Sequence, residues 1–271
     1  MHAQRHLSQF AYSKPIWKIL LLGCVVTLTM STLAAPAFAQ PGRRYTPPSD
    51  RSTPSSTIAG GARSGGCTGG ENTSFTALAP LSHIGRTSAT RPTFSWYVPK
   101  SPAGETALQG TTRPIDFRLY VYGADGKLQP RPIYQNEIPS QPGIMSFVLP
   151  SSQPELTVGQ RYYWRAALIC DPNHGSEDLI VSAEMSIVEN TSPESERWYD
   201  LLQAALNGNS FPSRSIDNLL TELAELERTA GEALAQSSGT AAEGNRLKLQ
   251  QQSQEILQHS EHLSQIIKAE P

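Results

Sequence analysis

Between residues 67 and 190 apolar and polar positions alternate with period two, and the breaks in the pattern carry Pro and Gly. That pattern predicts strands near residues 74–81, 93–98, 115–122, 132–138, 144–149, 160–170 and 179–188. Phe94, Trp96 and Val98 share one face of the second strand; Ile115, Phe117, Leu119 and Val121 share one face of the third, with Asp116 and Arg118 opposite. Alternation this regular implies one buried face and one wet face. Tyr162, Trp164, Ala166, Leu168 and Cys170 line the sixth strand, and Leu179, Val181, Ala183, Met185 and Ile187 the seventh. Tyr97, Tyr120, Tyr122 and Tyr163 fall on the faces opposite these stripes, either beneath the C-terminal segment or as a binding patch. Beyond residue 190 the period changes to that of a helix. Ser192 and Pro193 can open a first helix whose stripe is Trp198, Leu201, Leu202 and Ala205, stopped by Asn207 and Gly208. Ile216, Leu219, Leu223, Leu226 and Ala230 mark a second helix after a Ser215 cap. Leu249, Ile256 and Leu263 mark a third, at about residues 242–268, and the run 237–240 separates the two as a helical hairpin.

The expected fold class is therefore mainly β with α: a seven-stranded β-sandwich over residues 67–190, followed by a C-terminal helical region over 191–271. Thr93, Phe94, Ser95 and Trp96 before a Pro99 loop resemble the second strand of fibronectin type III domains. Residues 156–162 resemble their approach to the tyrosine corner, so the sandwich is expected to be fibronectin type III/Ig-like. Residues 40–66 are mostly Pro, Ser, Thr, Gly and Arg without an apolar period, and predict a linker. Ahead of it, Lys14 and Lys18 precede an apolar run that ends in Ala37, Phe38 and Ala39, a secretory signal peptide over residues 1–39 with cleavage after Ala39. The run is shorter than the roughly 20 apolar residues of a membrane span. It also continues well past Cys24, where a lipidation signal ends. No membrane span is expected after cleavage.

Charge and cysteine usage narrow the picture. The net charges of residues 40–66, 67–190 and 191–271 are +3, -2 and -6, with no concentrated basic stripe, so nucleic acid is not an expected partner. After cleavage two cysteines remain, Cys67 and Cys170. A lone pair in an oxidising compartment is most simply one disulfide.

Catalytic signatures are absent from the sequence: it carries no H-E-x-x-H, P-loop or dinucleotide glycine pattern. Ser64 lies in an elbow-like run that follows no strand and precedes no helix. The richest polar stretch is residues 171–178, where Asp171, Asn173, His174, Glu177 and Asp178 are the candidate binding residues, together with the long loop 99–114. Asp171 and Asn173 begin like an EF-hand, but the glycine is one place early and no Glu occupies the twelfth position, so a plain turn is expected and no metal. His259 and His262, three apart with Glu255 one turn earlier, fit a surface metal pair or, more commonly, a solvated helix face. Asn72 and Asn190 open glycosylation sequons, and unmodified turns are the expected reading.

Several segments together resemble one family. Gly66 with Cys67, the stretch 75–80, the stretch 91–99 from Arg91 through Trp96, Val158 with Gly159 leading to Tyr162 and Trp164, residues 169–172, and Arg197 through Asp200 are similar to the cyanobacterial domain-of-unknown-function family 928. The seventh strand, with Ser186, Ile187 and Val188, departs from that pattern, and the tail beyond Asn207 departs further. The resemblance implies an exported cyanobacterial protein and no reaction. The expectation is an exported, non-catalytic cell-envelope protein, in the periplasm or outside the cell, without cofactors, whose sandwich and helical tail recognise another protein or a glycan. The alternatives are a metal-dependent or other hydrolase using residues 171–178, and a structural protein forming homo-oligomers through the C-terminal helices.

Overall fold

A computed structural model describes residues 44–49, 54, 74–99, 113–171, 173, 175, 178–208 and 215–269. The signal segment, Ser64, Cys67, Asn72, His174, Glu177 and the centre of the 99–114 loop lie outside the described residues.

The described strands are β1 (Thr76–Ala77), β2 (Gly85–Thr87), β3 (Thr93–Val98), β4 (Pro114–Val121), β5 (Tyr134–Pro139), β6 (Gly143–Val148), β7 (Arg161–Leu168) and β8 (Leu179–Ile187). They form a three-stranded sheet in the order β1-β3-β6 and a five-stranded sheet in the order β2-β8-β7-β4-β5. All pairings are antiparallel except β2 with β8, which is parallel. The sheets face each other through aromatic rings. Phe94 lies 4.9 Å from Phe117, Trp96 6.3 Å from Trp164, and Phe147 4.9 Å from Phe117, centroid to centroid. These separations suit tilted and edge contacts, which add to the burial of large apolar surfaces. At the start of β7 the Tyr162 hydroxyl accepts the Thr157 N–H at 2.9 Å, tying the incoming loop to the sheet.

The first expected strand departs most from its pattern. Only Thr76–Ala77 pairs as a strand, and the next seven residues run irregularly to β2 although Leu78, Ala79, Leu81 and Ile84 are buried. Backbone groups buried in this way need partners, and here helices supply them. The Trp198 indole donates to the Leu78 carbonyl at 2.9 Å, His259 Nε2 bonds the Ala79 carbonyl at 3.1 Å, and Glu227 accepts the N–H of Leu81 and Ser82.

A 3-10 turn at Glu194–Glu196 follows Pro193, so α1 (Trp198–Leu206) begins later than Ser192 and Pro193 suggest. Its start is set by Asp200, which accepts from Thr87 Oγ1 and from the N–H and hydroxyl of Ser88, and by Arg197, which reaches Ser88 and Asn190. Gly208, at φ 65°, ends the helix in the left-handed region as the sequence suggests. Ser215 caps α2 (Ile216–Thr240) by accepting the Asn218 N–H. The helix continues through the expected break because Ser237, Ser238 and Thr240 turn their hydroxyls back onto its own carbonyls. It is followed by α3 (Glu243–Ala269). The two helices approach closely at small residues: Ser253 donates to the Gly231 carbonyl and Ser260 to that of Ala224, and a Cβ on Gly231 would lie 2.7 Å from Leu257 Cγ. Tyr97, Tyr122 and Tyr163 are buried and not a surface patch; α1 packs on β2 and β3, and α3 on β1. No described helix is long and apolar enough to cross a membrane.

Candidate functional site

The strand ends bring the loops singled out from sequence to one end of the sandwich. β3 finishes at Val98, β4 begins at Pro114, β7 finishes at Leu168 and β8 begins at Leu179, so loops 99–113 and 169–178 emerge together. They are stitched there by Arg113 donating to the Cys170 carbonyl at 3.2 Å and by the Ile169 N–H on the Pro114 carbonyl at 3.0 Å. Asp171 Oδ1 accepts the Asn173 N–H at 2.8 Å, and Asp178 Oδ1 accepts the Cys170 N–H at 3.1 Å. Both carboxylates thus shape the turn. Among the described residues no three His, Cys, Asp or Glu side chains are placed to hold a metal ion.

The polar cluster that the sequence did not reveal lies in the seam between the sandwich and the helices. Glu227 on α2 is fully buried; its carboxylate takes the Leu81 N–H at 3.1 Å, the Ser82 N–H at 3.0 Å and the Ser82 hydroxyl at 2.9 Å. Ser82 Oγ also meets His83 Nδ1 at 2.9 Å, and His83 Nε2 meets the Tyr45 hydroxyl at 2.6 Å. When Glu227 is ionised it can only accept, and the assignment consistent with that runs Tyr45 O–H to Nε2, Nδ1–H to Ser82 Oγ, and Ser82 O–H to Glu227. Burial pushes the Glu227 carboxyl up to about 7, against the opposing pull of the Ser82 and Leu81 donors. Burial, then the nearby Glu227, holds the Tyr45 phenol well above its ordinary value. Tyr45 belongs to the stretch expected to be a linker. Residues 44–49 are instead seated on the fold: Tyr45 is 2% exposed, packs edge-on to Trp198 at 5.0 Å, and gives its N–H to Glu222. The tyrosine ring supplies the apolar surface that a Pro- and Ser-rich segment otherwise lacks.

His259 and His262 correct the expectation of a solvated face on α3. Both are buried, and Glu255 is engaged by Gln251 instead. Burial, with His262 adding to it, pushes the His259 ring down to about 3, so it is neutral at ordinary pH. His259 is held on the inward face by its bond to the Ala79 carbonyl at 3.1 Å, and burial also pushes the His262 ring down. The arrangement does not activate a nucleophile. Ser82 donates to a carboxylate rather than to an imidazole acceptor, and His83 is occupied on both ring nitrogens.

At the end of the sandwich opposite the 169–178 loop is an open groove of about 240 Å³. Its walls include Leu119, Val121, Ile133, Tyr134, Leu149 and Leu156, with Glu155 as its one carboxylate. Ile133, one of the large hydrophobic residues most exposed in the described structure at 48%, stands in its wall.

No curated protein matches the chain, and neither does any solved structure. The profile of the family described as Domain of Unknown Function (DUF928) matches residues 58–238, which takes in the sandwich, α1 and nearly all of α2. The match thus runs past Asn207, through the helix that carries Glu227, and covers well over half of the sequence; the chain belongs to the DUF928 family.

Proposed function

We propose that this is an exported, non-catalytic cell-envelope protein that recognises an apolar segment of another polypeptide at the groove around Ile133. The groove itself carries the reading. Its lining is apolar apart from Gln153, Glu155, Thr157 and the tyrosines, with no imidazole or thiol to serve as base or nucleophile. A glycan would call for several converging polar groups, whereas this lining suits an aliphatic or aromatic side chain. The titratable groups that do converge, around Glu227, are spent on holding helices to the sandwich. The signal segment supports export, and the Tyr162 to Thr157 bond supports placing the sandwich in the fibronectin type III/Ig-like class.

The test combines address and contact. A photo-crosslinking residue at Ile133, expressed in the native host, is expected to give a discrete adduct with an envelope polypeptide, on a chain whose first residue is Gln40. Adducts equally abundant when the probe stands at Leu247, the most exposed large hydrophobic residue described, would sink the recognition reading; a chain retaining Met1 would sink export.

Export also implies the disulfide between Cys67 and Cys170. Closing a loop of about a hundred residues contributes about 4 to 5 kcal/mol in the chain-entropy model. Thiol labelling of the denatured, unreduced protein is expected to find neither cysteine, and labelling of both refutes the bond.

A further inference from the structure

The three-stranded sheet ends in β6, whose far edge pairs with no described strand. The direction of its backbone groups follows from its neighbours. The Leu78 N–H donates to the Ser95 carbonyl on the β1 side of β3, and backbone groups alternate sides along a strand, so Ser95 and Ser146 form a non-hydrogen-bonded pair. The Leu149 N–H on the Pro92 carbonyl gives the same phase. Ile144, Ser146 and Val148 therefore turn their N–H and C=O groups away from β3, toward the open edge.

Sheet edges are ordinarily guarded by charge or proline, since an unpaired edge accepts any passing strand. β5, the edge of the other sheet, has both in Glu137 and Pro139. β6, with the sequence GIMSFV, has neither. Ser146 is exposed and Val148 is 49% exposed, and no described strand covers the edge where it would pair.

We propose that β6 pairs antiparallel with β6 of a second copy, about a two-fold axis through Ser146. The register is set by the side chains. Phe147 points inward against Phe117, so Met145 shares its face, while Ile144, Ser146 and Val148 share the outer one. In a continuous sheet, opposed residues must share a face. Centring on Ser146 satisfies this: Ile144 opposes Val148 of the second copy, Met145 opposes Phe147, and Ser146 opposes itself. The pairs at 144, 146 and 148 are also those whose backbone groups face outward, so each exchanges both N–H···O bonds. Aliphatic meets aliphatic, sulfur meets an aromatic ring, and an uncharged strand opposes no like charges. Self-pairing is favoured over pairing with a foreign strand because this one sequence satisfies face, hydrogen-bond phase and charge together.

Sedimentation of the purified protein is expected to show a concentration-dependent dimer. Ser146→Lys, which sets two ammonium groups opposite each other, should weaken it several-fold, whereas Ser146→Ala, which loses the same contact with the Ser95 hydroxyl but adds no charge, should leave the dimer in place. Register is read by oxidative cross-linking: Ser146→Cys links to itself, whereas Ile144→Cys and Val148→Cys link to each other and not to themselves. A monomer at all concentrations overturns the proposal. So does a dimer untouched by Ser146→Lys, or one lost only on deleting residues 215–269, which would place self-association in the helices.

Discussion

Replacing Glu227 by Gln is expected to change how stability depends on pH, and replacing it by Ala to cost about 3 to 5 kcal/mol. Alanine leaves the N–H groups of Leu81 and Ser82 buried without an acceptor, at about 1 to 3 kcal/mol each. The pH effect follows from the carboxyl standing near 7 in the folded protein against 4.5 in the unfolded chain. A raised acid contributes its full stability below pH 4.5 and loses it as pH rises to about 7, about 3 kcal/mol in all. His259 works in the opposite sense. Held down to about 3 from 6.5, it withdraws stability as pH falls below 6.5. Between pH 4.5 and 6.5 the two slopes cancel, so the pair produces a plateau that falls away on both sides. Denaturant titrations of wild type and Glu227→Gln from pH 4 to 8 isolate the acid's share, because every other group is common to both. The difference in unfolding free energy should shift by about 3 kcal/mol in favour of the Gln variant as pH rises. A difference that stays flat would mean that Glu227 titrates normally and that the seam is open to water.

The six longer strands were legible in the sequence because each depends on local alternation that any two-sided sheet imposes. Phe117, Trp164 and Val181 fall inside for the same reason. The seam was not legible because its logic is non-local. Glu227 is 145 residues from Ser82, and a glutamate on an amphipathic helix gives no sign of facing inward until the backbone it satisfies is in place. His259 and His262 present the same difficulty, since burial is the exception for polar helix residues. Tyr45 shows the converse: one aromatic ring in a Pro- and Ser-rich run was enough to seat the segment, while the composition of its neighbours pointed to a free tether. The short β2 escaped notice because three residues carry too little alternation to register. Asp171 and Asp178 each accept a backbone N–H within their own loop, and turn geometry demands the same residue types as a binding site would.

Gly85 lies at a close junction between sheet and helix, and Gly85→Ala is expected to destabilise by about 2 to 6 kcal/mol although it adds a single methyl group. A Cβ at this position would lie 2.7 Å from Tyr199 Cε2, inside any allowed contact, and Tyr199 is a fully buried ring with no free direction in which to yield. The ring is also tethered, because its hydroxyl accepts the Trp164 indole N–H at 2.9 Å across the core. Displacing Tyr199 therefore combines an overpacking cost of about 1 to 3 kcal/mol with an orphaned indole donor worth about 1 to 3 kcal/mol. A double-mutant cycle separates the two. Tyr199→Phe keeps the clash and removes the hydroxyl, so Gly85→Ala should cost less in that background by the hydrogen-bond share alone. Tyr199→Leu removes the offending edge, so there the same substitution should cost under about 1 kcal/mol, a coupling of the size contacting residues show. Thermal or denaturant unfolding of the five variants and wild type reads all of these values. Equal costs for Gly85→Ala in all three backgrounds would show that the glycine is required by its backbone and not by the tyrosine packed over it.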